Sequence, residues 1–310
     1  MTDSILTAML FATIVAGTPL LIVALGELIT EKSGVLNLGA EGTMAVGAIA
    51  GFAAAHASGS AVFGVVAAMI AGMLMAAIFA YLVLTLLANQ VATGLALAIF
   101  GVGLAAFVGK PYESEALKSV PATKIPLLAD IPVIGPALFY QQWLVYASYL
   151  LLAGIIWFLY RTRAGLVLRV VGESPSSAHA IGHPVQRIRY LATLFGGALA
   201  GIGGAFLSVF HTPLWVEGMV AGRGWIALAL VVFATWRPLR VAVGAYLFGG
   251  VLITQLFVQG SSAQITIPSQ FLSMLPYLAT VLVLVIIARN PNTIRLNAPV
   301  SLGQSFRAEG

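Results

Sequence analysis

A series of uncharged apolar runs, each about as long as a bilayer is thick, limits this chain more than any other feature. They cover residues 5–26, 61–87, 91–109, 142–160, 190–210, 240–259 and 271–288. About 20 residues rising 1.5 Å each cross the roughly 30 Å of a hydrocarbon core. Two further runs, 35–55 and 224–236, are ambiguous. The first is rich in Gly and Ala and holds Asn37 and Glu41; the second is short. Each is a span, a broken helix or a re-entrant segment buried in protein. The count is eight to ten, with nine as the working figure. The predicted fold class is all-α: a polytopic transmembrane helical bundle, a single domain over 1–310.

Composition closes the soluble alternative. Only 8% of the residues are charged, against roughly 25% in a soluble domain. The net charge of +5 reads as basic loops held on the cytoplasmic side, not as a nucleic-acid footprint. With no cysteine, disulfides and thiolate metal sites are excluded. His56, His179, His183 and His211 show no metal-ligand spacing within a span, so no metal is expected. No phosphate-cradling Gly-Lys-Ser/Thr loop is present, so the chain is not expected to hydrolyse ATP itself. Residues 5–26 read as a retained helix and not as a cleaved signal.

Charge sets the orientation. Arg161, Arg163, Arg169, Arg187 and Arg189 face one acid, Glu173, in the loop 161–189. Arg237 and Arg240 bracket a short connection, and Arg289, Arg295 and Arg307 lie in the tail. These regions are assigned to the cytoplasm, with the C-terminus. The proline-rich segment 110–140, whose charges balance, then falls outside, as an ordered cap or a plain loop. With nine spans the N-terminus is external; a tenth span, or one re-entrant segment, puts it inside.

Polar residues at membrane depth are costly, about 2.5–3.5 kcal/mol for a central Asp, Lys or Arg. Asn37, Glu41 and Thr43 are therefore candidates for a lining or gate. The alternative is that Glu41 lies near the interface, or is held by Lys32 or by backbone N–H groups. Asn89, Gln90 and Thr93 mark the break between two apolar runs, either a tight turn or a broken helix exposing backbone to a solute. Small residues recur every four positions at Gly39, Thr43, Gly47, Gly51 and Ala55. They recur again at Gly196, Ala200, Gly204 and Ser208, beside Gly197 and Gly201. Such stripes let backbones approach, within the bundle or at a subunit interface or path.

The loop 161–189 carries a short helix signature. Ser174 suits an N-cap, Pro175 the first helical position, Gly182 the C′ position, and Pro184 prevents continuation. So short a helix is unstable alone. It packs on the chain's own spans or docks into a peripheral subunit.

Two segments carry a resemblance. Residues 31–42, Glu-Lys-Ser-Gly-Val-Leu-Asn-Leu-Gly-Ala-Glu-Gly, resemble the N-terminal signature of permeases of bacterial ABC importers. The branch is the one for nucleosides, simple sugars and branched-chain amino acids, most like its shorter nucleoside permease. Residues 168–175 with Ala180-Ile181-Gly182 are similar to that family's coupling loop, and the glycine-rich 196–204 matches its pattern. The similarity runs over most of the chain. It implies a translocation path for a nucleoside or simple sugar, in a multi-pass protein of the bacterial plasma membrane. The implied partners are an ABC ATPase subunit that uses ATP and Mg, a second, non-identical permease, and an external solute-binding protein or lipoprotein. It places coupling at Arg169, Gly172, Glu173, Ser174, Pro175, Ala178, Ile181 and Gly182. His183-Pro184 departs from the family pattern at the end of that surface. The rival is an ion-gradient-driven secondary transporter, which needs intramembrane carboxylates; only Glu41 qualifies by position.

Because the chain has no native cysteine, a Ser177→Cys variant reports orientation cleanly. It is expected to resist an impermeant maleimide in intact cells and to react once the membrane is opened. Labelling from outside would reverse the topology.

Overall fold

The computed structural model describes residues 2–132, 134–260, 271, 274, 275, 278, 285 and 297–307. The run at 271–288 lies outside the described residues apart from those isolated positions, as do Arg289 and Arg295. In chain order the helices are α1 (Thr2–Lys32), α2 (Ala40–Ser58), α3 (Ala61–Ala80), α4 (Gln90–Gly109), α5 (Ile134–Phe139) and α6 (Trp143–Arg161). They continue with α7 (Arg163–Glu173), α8 (Pro175–Ala180), α9 (Val185–Ala205), α10 (Arg223–Phe233) and α11 (Pro238–Gly260). π-helical turns extend α3 through Tyr81–Thr85 and α9 through Phe206–His211. Among the described residues, six helices are long and apolar enough to cross a membrane: Ile5–Lys32, Ala61–Thr85, Gln90–Tyr112, Trp143–Arg161, Val185–His211 and Pro238–Gln259.

Several boundaries move. The first span does not stop at 26: α1 continues to Lys32 and takes in Glu27 and Glu31. Both carboxylates are buried, and Glu31 Oε2 accepts the indole N–H of Trp236 at 2.5 Å. Glu27 ends the apolar run in the sequence, yet helix and burial continue past it, and Trp236 supplies a tertiary partner to Glu31. The fifth long span begins at Val185 instead of 190, so Arg187 and Arg189 belong to a helix. The loop 161–189 is itself mostly helical. Thr162 caps α7 by accepting the Gly165 N–H at 3.0 Å. The segment 110–140 is the ordered cap, with a two-residue antiparallel ladder between β1 (Thr123–Lys124) and β2 (Tyr140–Gln141). A Lys124–Asp130 ion pair and a bridge from Ala116 to Leu214 close it.

The ambiguous runs are both broken. Residues 33–39 are non-helical and α2 begins only at Ala40. The chain likewise leaves helix after His211 and resumes at Arg223 in α10, which has 11 residues. Beside these elements, α1 is enclosed through its second half, where every residue from Leu20 to Glu31 is buried. It packs on α9, α10 and α11.

The small-residue stripes pack inside the bundle. A methyl on Gly47 would strike the Gly201 backbone; one on Gly204 would strike Met44, and one on Gly197 would meet Gly72 and Ala76. Gly51 meets Ala205, and Gly39 lies against Leu97 and Gly94. The stripes thus draw α2, α3, α4 and α9 together at backbone distance. Gly47→Ala is expected to destabilise the bundle by about 1–3 kcal/mol through overpacking. It would be read as a lower thermal unfolding temperature in detergent. Gly103→Ala, with no atom within 4 Å of the added carbon, is expected to be silent.

Candidate functional site

Depth can be read from α4. The span Gln90–Tyr112 has 23 residues, and Gly101 lies at its centre, about 16 Å from either end at 1.5 Å per residue. Gly101 touches the Gly42 backbone so closely that a methyl there would collide. Glu41 and the first turn of α2 therefore sit near the middle of the bilayer. From there α2 runs toward the end that holds the ordered cap, where Phe52 and His56 meet Tyr112. By contrast, α10 runs the other way, toward the basic end, where Trp236 meets Glu31. The 19-residue α2 and the 11-residue α10 point their N-termini at one junction, level with the middle of α4.

The Glu41 carboxylate fills that junction. Oε1 accepts the Gly222 N–H at 2.8 Å and Oε2 the Gly224 N–H at 2.7 Å. These amides open α10 and have no intrahelical partner; a carboxylate also suits the positive end of the helix dipole. The sequence Gly-Arg-Gly is what allows it. Gly222 has φ +81, in the left-handed region, and a methyl on Gly224 would strike the Glu41 backbone. Arg223, between them, gives Nη1 to the Met219 and Val220 carbonyls at 2.9 and 3.1 Å. A cavity of about 140 Å³ adjoins, between Glu41, Val102, Ala106 and the 215–221 segment. Trp215 lines it, and its buried indole N–H has no hydrogen-bond partner among the described residues. Of the readings open for Glu41, the backbone N–H groups hold it; Lys32 instead donates to the Asn297 carbonyl at 2.7 Å.

The other polar candidates serve the break before α2. Asn37 Oδ1 accepts the Gly39 N–H at 2.9 Å, and Thr43 Oγ1 donates to the Gly39 carbonyl at 3.0 Å. Gln90, buried, accepts the Leu36 N–H at 2.8 Å. Asn89 caps α4 by accepting the Ala92 N–H at 3.0 Å, with Thr93 half-buried one turn on. The structure thus brings Asn37, Glu41 and Thr43 together with Gln90 of α4 around the break before α2, and leaves Asn89 and Thr93 at the start of α4.

Arg189 was read only as a loop charge. It is 1% exposed, donating to the Ser33 carbonyl at 3.1 Å, the Gln304 carbonyl at 3.0 Å and Ser301 Oγ at 3.0 Å. The basic end is thereby stitched to the tail. Ser301 in turn binds the Gly172 carbonyl through its N–H and hydroxyl, at 3.0 and 2.7 Å. Glu27 also escaped the sequence reading. It is fully buried, and neither oxygen has a hydrogen-bond partner among the described residues.

At that basic end α8 takes the form its caps predict. Ser174 Oγ accepts the Ser177 N–H at 3.3 Å, Pro175 is the first residue, and Gly182 has φ +89. Ala178 faces inward, packed with Val171 and Val185, so it anchors α8 to its own chain. Gly172 is buried against the Lys32 carbonyl, and the Arg169 guanidinium lies over the Tyr160 ring at 5.6 Å. The outward surface is formed by Glu173, Ser176, Ser177, His179 and Ile181, the last 69% exposed.

The profile of the family described as branched-chain amino acid transport system / permease component matches residues 9–288. The chain is 40% identical to a Haloferax volcanii protein provisionally named a glucose ABC transporter permease protein, over 99% of both chains. It is 34% identical to the guanosine ABC transporter permease protein of Bacillus subtilis, over 90% of this chain and 92% of that one. A nucleoside ABC transporter permease protein of Lactococcus lactis is 30% identical over 87% and 89% of the two chains.

Replacing Glu41 tests the junction. Glu41→Gln keeps the size but leaves one α10 amide without an acceptor and removes the charge. The expected loss is about 1.5–3 kcal/mol, seen as a lower unfolding temperature of the purified chain and reduced uptake at matched expression. Unchanged values for both would remove the carboxylate from any role at the junction.

Proposed function

The chain belongs to the branched-chain amino acid transport system permease family and is a multi-pass permease subunit of an ABC transporter; on that premise we propose that its path carries a nucleoside inward past the Glu41 junction. The observation that carries this reading is the meeting of the α2 and α10 N-termini near mid-membrane, beside a cavity bounded by Glu41 and the 215–221 segment. Broken helices of this kind put backbone groups where a solute can reach them. A simple sugar is the second reading, favoured by the Haloferax volcanii relative at 40% identity. Both solutes are neutral and rich in hydroxyl groups.

In this reading the basic end is cytoplasmic, with the C-terminus, and the ordered cap is external. A solute-binding protein or lipoprotein delivers the solute at the cap, and a second permease completes the path. An ATPase subunit, which hydrolyses ATP with Mg, docks on the outward face of α8. A single exposed Ile beside Ser and His side chains fits a shallow docking contact, with Ala178 tying the helix to the chain. Phe100, Phe107 and Trp225 are exposed and available to stack on a base.

Ile181→Asp is the test. Because Ile181 is exposed, its replacement is expected to leave thermal stability unchanged. It should abolish substrate-stimulated ATPase activity in the reconstituted transporter and loosen co-purification of the ATPase subunit. Full stimulation with full co-purification would overturn docking at α8. Comparing stimulation by guanosine with that by glucose, on wild type, separates the two solute readings.

A further inference from the structure

A groove of about 900 Å³ lies between α6, α7 and α9, and shares no lining residue with the cavity at the Glu41 junction. Its floor holds small residues, Ala147, Gly154 and Ala192; Phe158, Val167 and Phe195 stand along its walls. Every lining side chain is apolar, so it offers a polar solute nothing to bind. Along α6 the lining runs from Ala147 to Phe158, about 16 Å at 1.5 Å per residue. That is about one leaflet, half of the roughly 30 Å hydrocarbon core. Nothing lies within 4 Å of a side-chain carbon placed on Gly154.

Two cations stand at the basic end of this groove. Arg161 follows Phe158 by three residues on α6, so it continues the lining stripe. Arg163 precedes Val167 by four on α7 and continues that stripe. Both are exposed, and neither has a hydrogen-bond or ion-pair partner among the described residues. Trp157, exposed, and Tyr160, under Arg169, sit at the same level, as aromatic residues do at a membrane interface.

We propose that this groove binds one anionic phospholipid, its acyl chain along Gly154 and its phosphate between Arg161 and Arg163. Length favours a single-leaflet chain, the lining excludes a polar occupant, and two unpaired cations at the headgroup level select negative charge. A juxtamembrane Lys or Arg contributes about 1 kcal/mol toward anionic lipid, which is about fivefold.

The complete transporter, purified from nanodiscs of phosphatidylglycerol or of phosphatidylcholine, is analysed by native mass spectrometry. Wild type is expected to retain phosphatidylglycerol preferentially. Arg161→Gln and Arg163→Gln should each reduce that preference about fivefold while still admitting neutral lipid. Gly154→Phe fills open space and should lose both lipids at unchanged thermal stability. Equal retention of the two lipids by wild type overturns the proposal, as does unchanged preference in the double Arg variant. A Gly154→Cys variant that crosslinks to the second permease in place of binding lipid overturns it too. The arginine variants lie at the surface, so they decide the matter even if Gly154→Phe does not fold.

Discussion

No water is available in a hydrocarbon core to satisfy a backbone that leaves the helix, so every freed N–H and C=O must find a partner within the protein. Most of what is unusual here follows from the two places where helices break. Before α2, Gln90 answers Leu36, Asn37 answers Gly39, and Arg189 binds the carbonyl of Ser33. The Gly34 carbonyl accepts the Gly303 N–H at 3.1 Å. Before α10, Glu41 answers Gly222 and Gly224. An unmade bond at any of these buried groups costs about 1–3 kcal/mol. The polar residues of the apolar runs are thus assigned largely by this constraint.

Contiguity joins α8 to the Glu41 junction. Helix α8 leads directly into α9 through Gly182. The first turns of α9 carry Arg189, which holds the break at Ser33. More than three turns beyond, Gly201 and Gly204 of α9 pack on Gly47 and Met44 of α2, the helix that bears Glu41. With methyl-free contacts, α9 and α2 have little room to slide independently, because close-packed interiors transmit displacement. A shift of α8 therefore has a mechanical route to the junction. The route is one of physical contact; a double-mutant cycle between Ile181 and Glu41 would measure whether energy follows it.

Local signals were legible and distant ones were not. The long apolar runs mark the spans, and Ser174, Pro175 and Gly182 mark α8 to within a residue, because caps act within one turn. Family resemblance was legible in residues 31–42 and 168–182. What stayed hidden depends on partners far along the chain. Glu41 shows its polarity in the sequence, but its acceptors' donors lie about 180 residues on, at Gly222 and Gly224. The Gly-Arg-Gly at 222–224, an arginine within an apolar stretch, was the available signal for that junction. Ala178 looked like a docking residue because helical phase in a short loop cannot be assigned without knowing which side meets Val171 and Val185. Helix α7 was missed as its apolar stripe is short and interrupted by Arg169.

The state of the Glu41 carboxylate also bears on the solute. Both oxygens are engaged by backbone N–H groups, and the α10 N-terminus that would otherwise attract an anion is occupied. Arg223 directs one guanidinium nitrogen to backbone carbonyls of its own chain segment. Glu27 and Glu31, the buried carboxylates of α1, do not line the cavity at the junction. A zwitterionic amino acid would need a free carboxylate for its ammonium group and a free donor set for its own carboxylate; the junction has committed its acid to the fold. A gradient-driven carrier would need that acid to change partners in each cycle, breaking two charge-assisted bonds of about 1.5–3 kcal/mol each. A neutral hydroxyl-rich solute makes neither demand. On the proposed path it would exchange neutral hydrogen bonds while the two Glu41 bonds stay made, and the proposed docking at α8 would then supply the energy for movement.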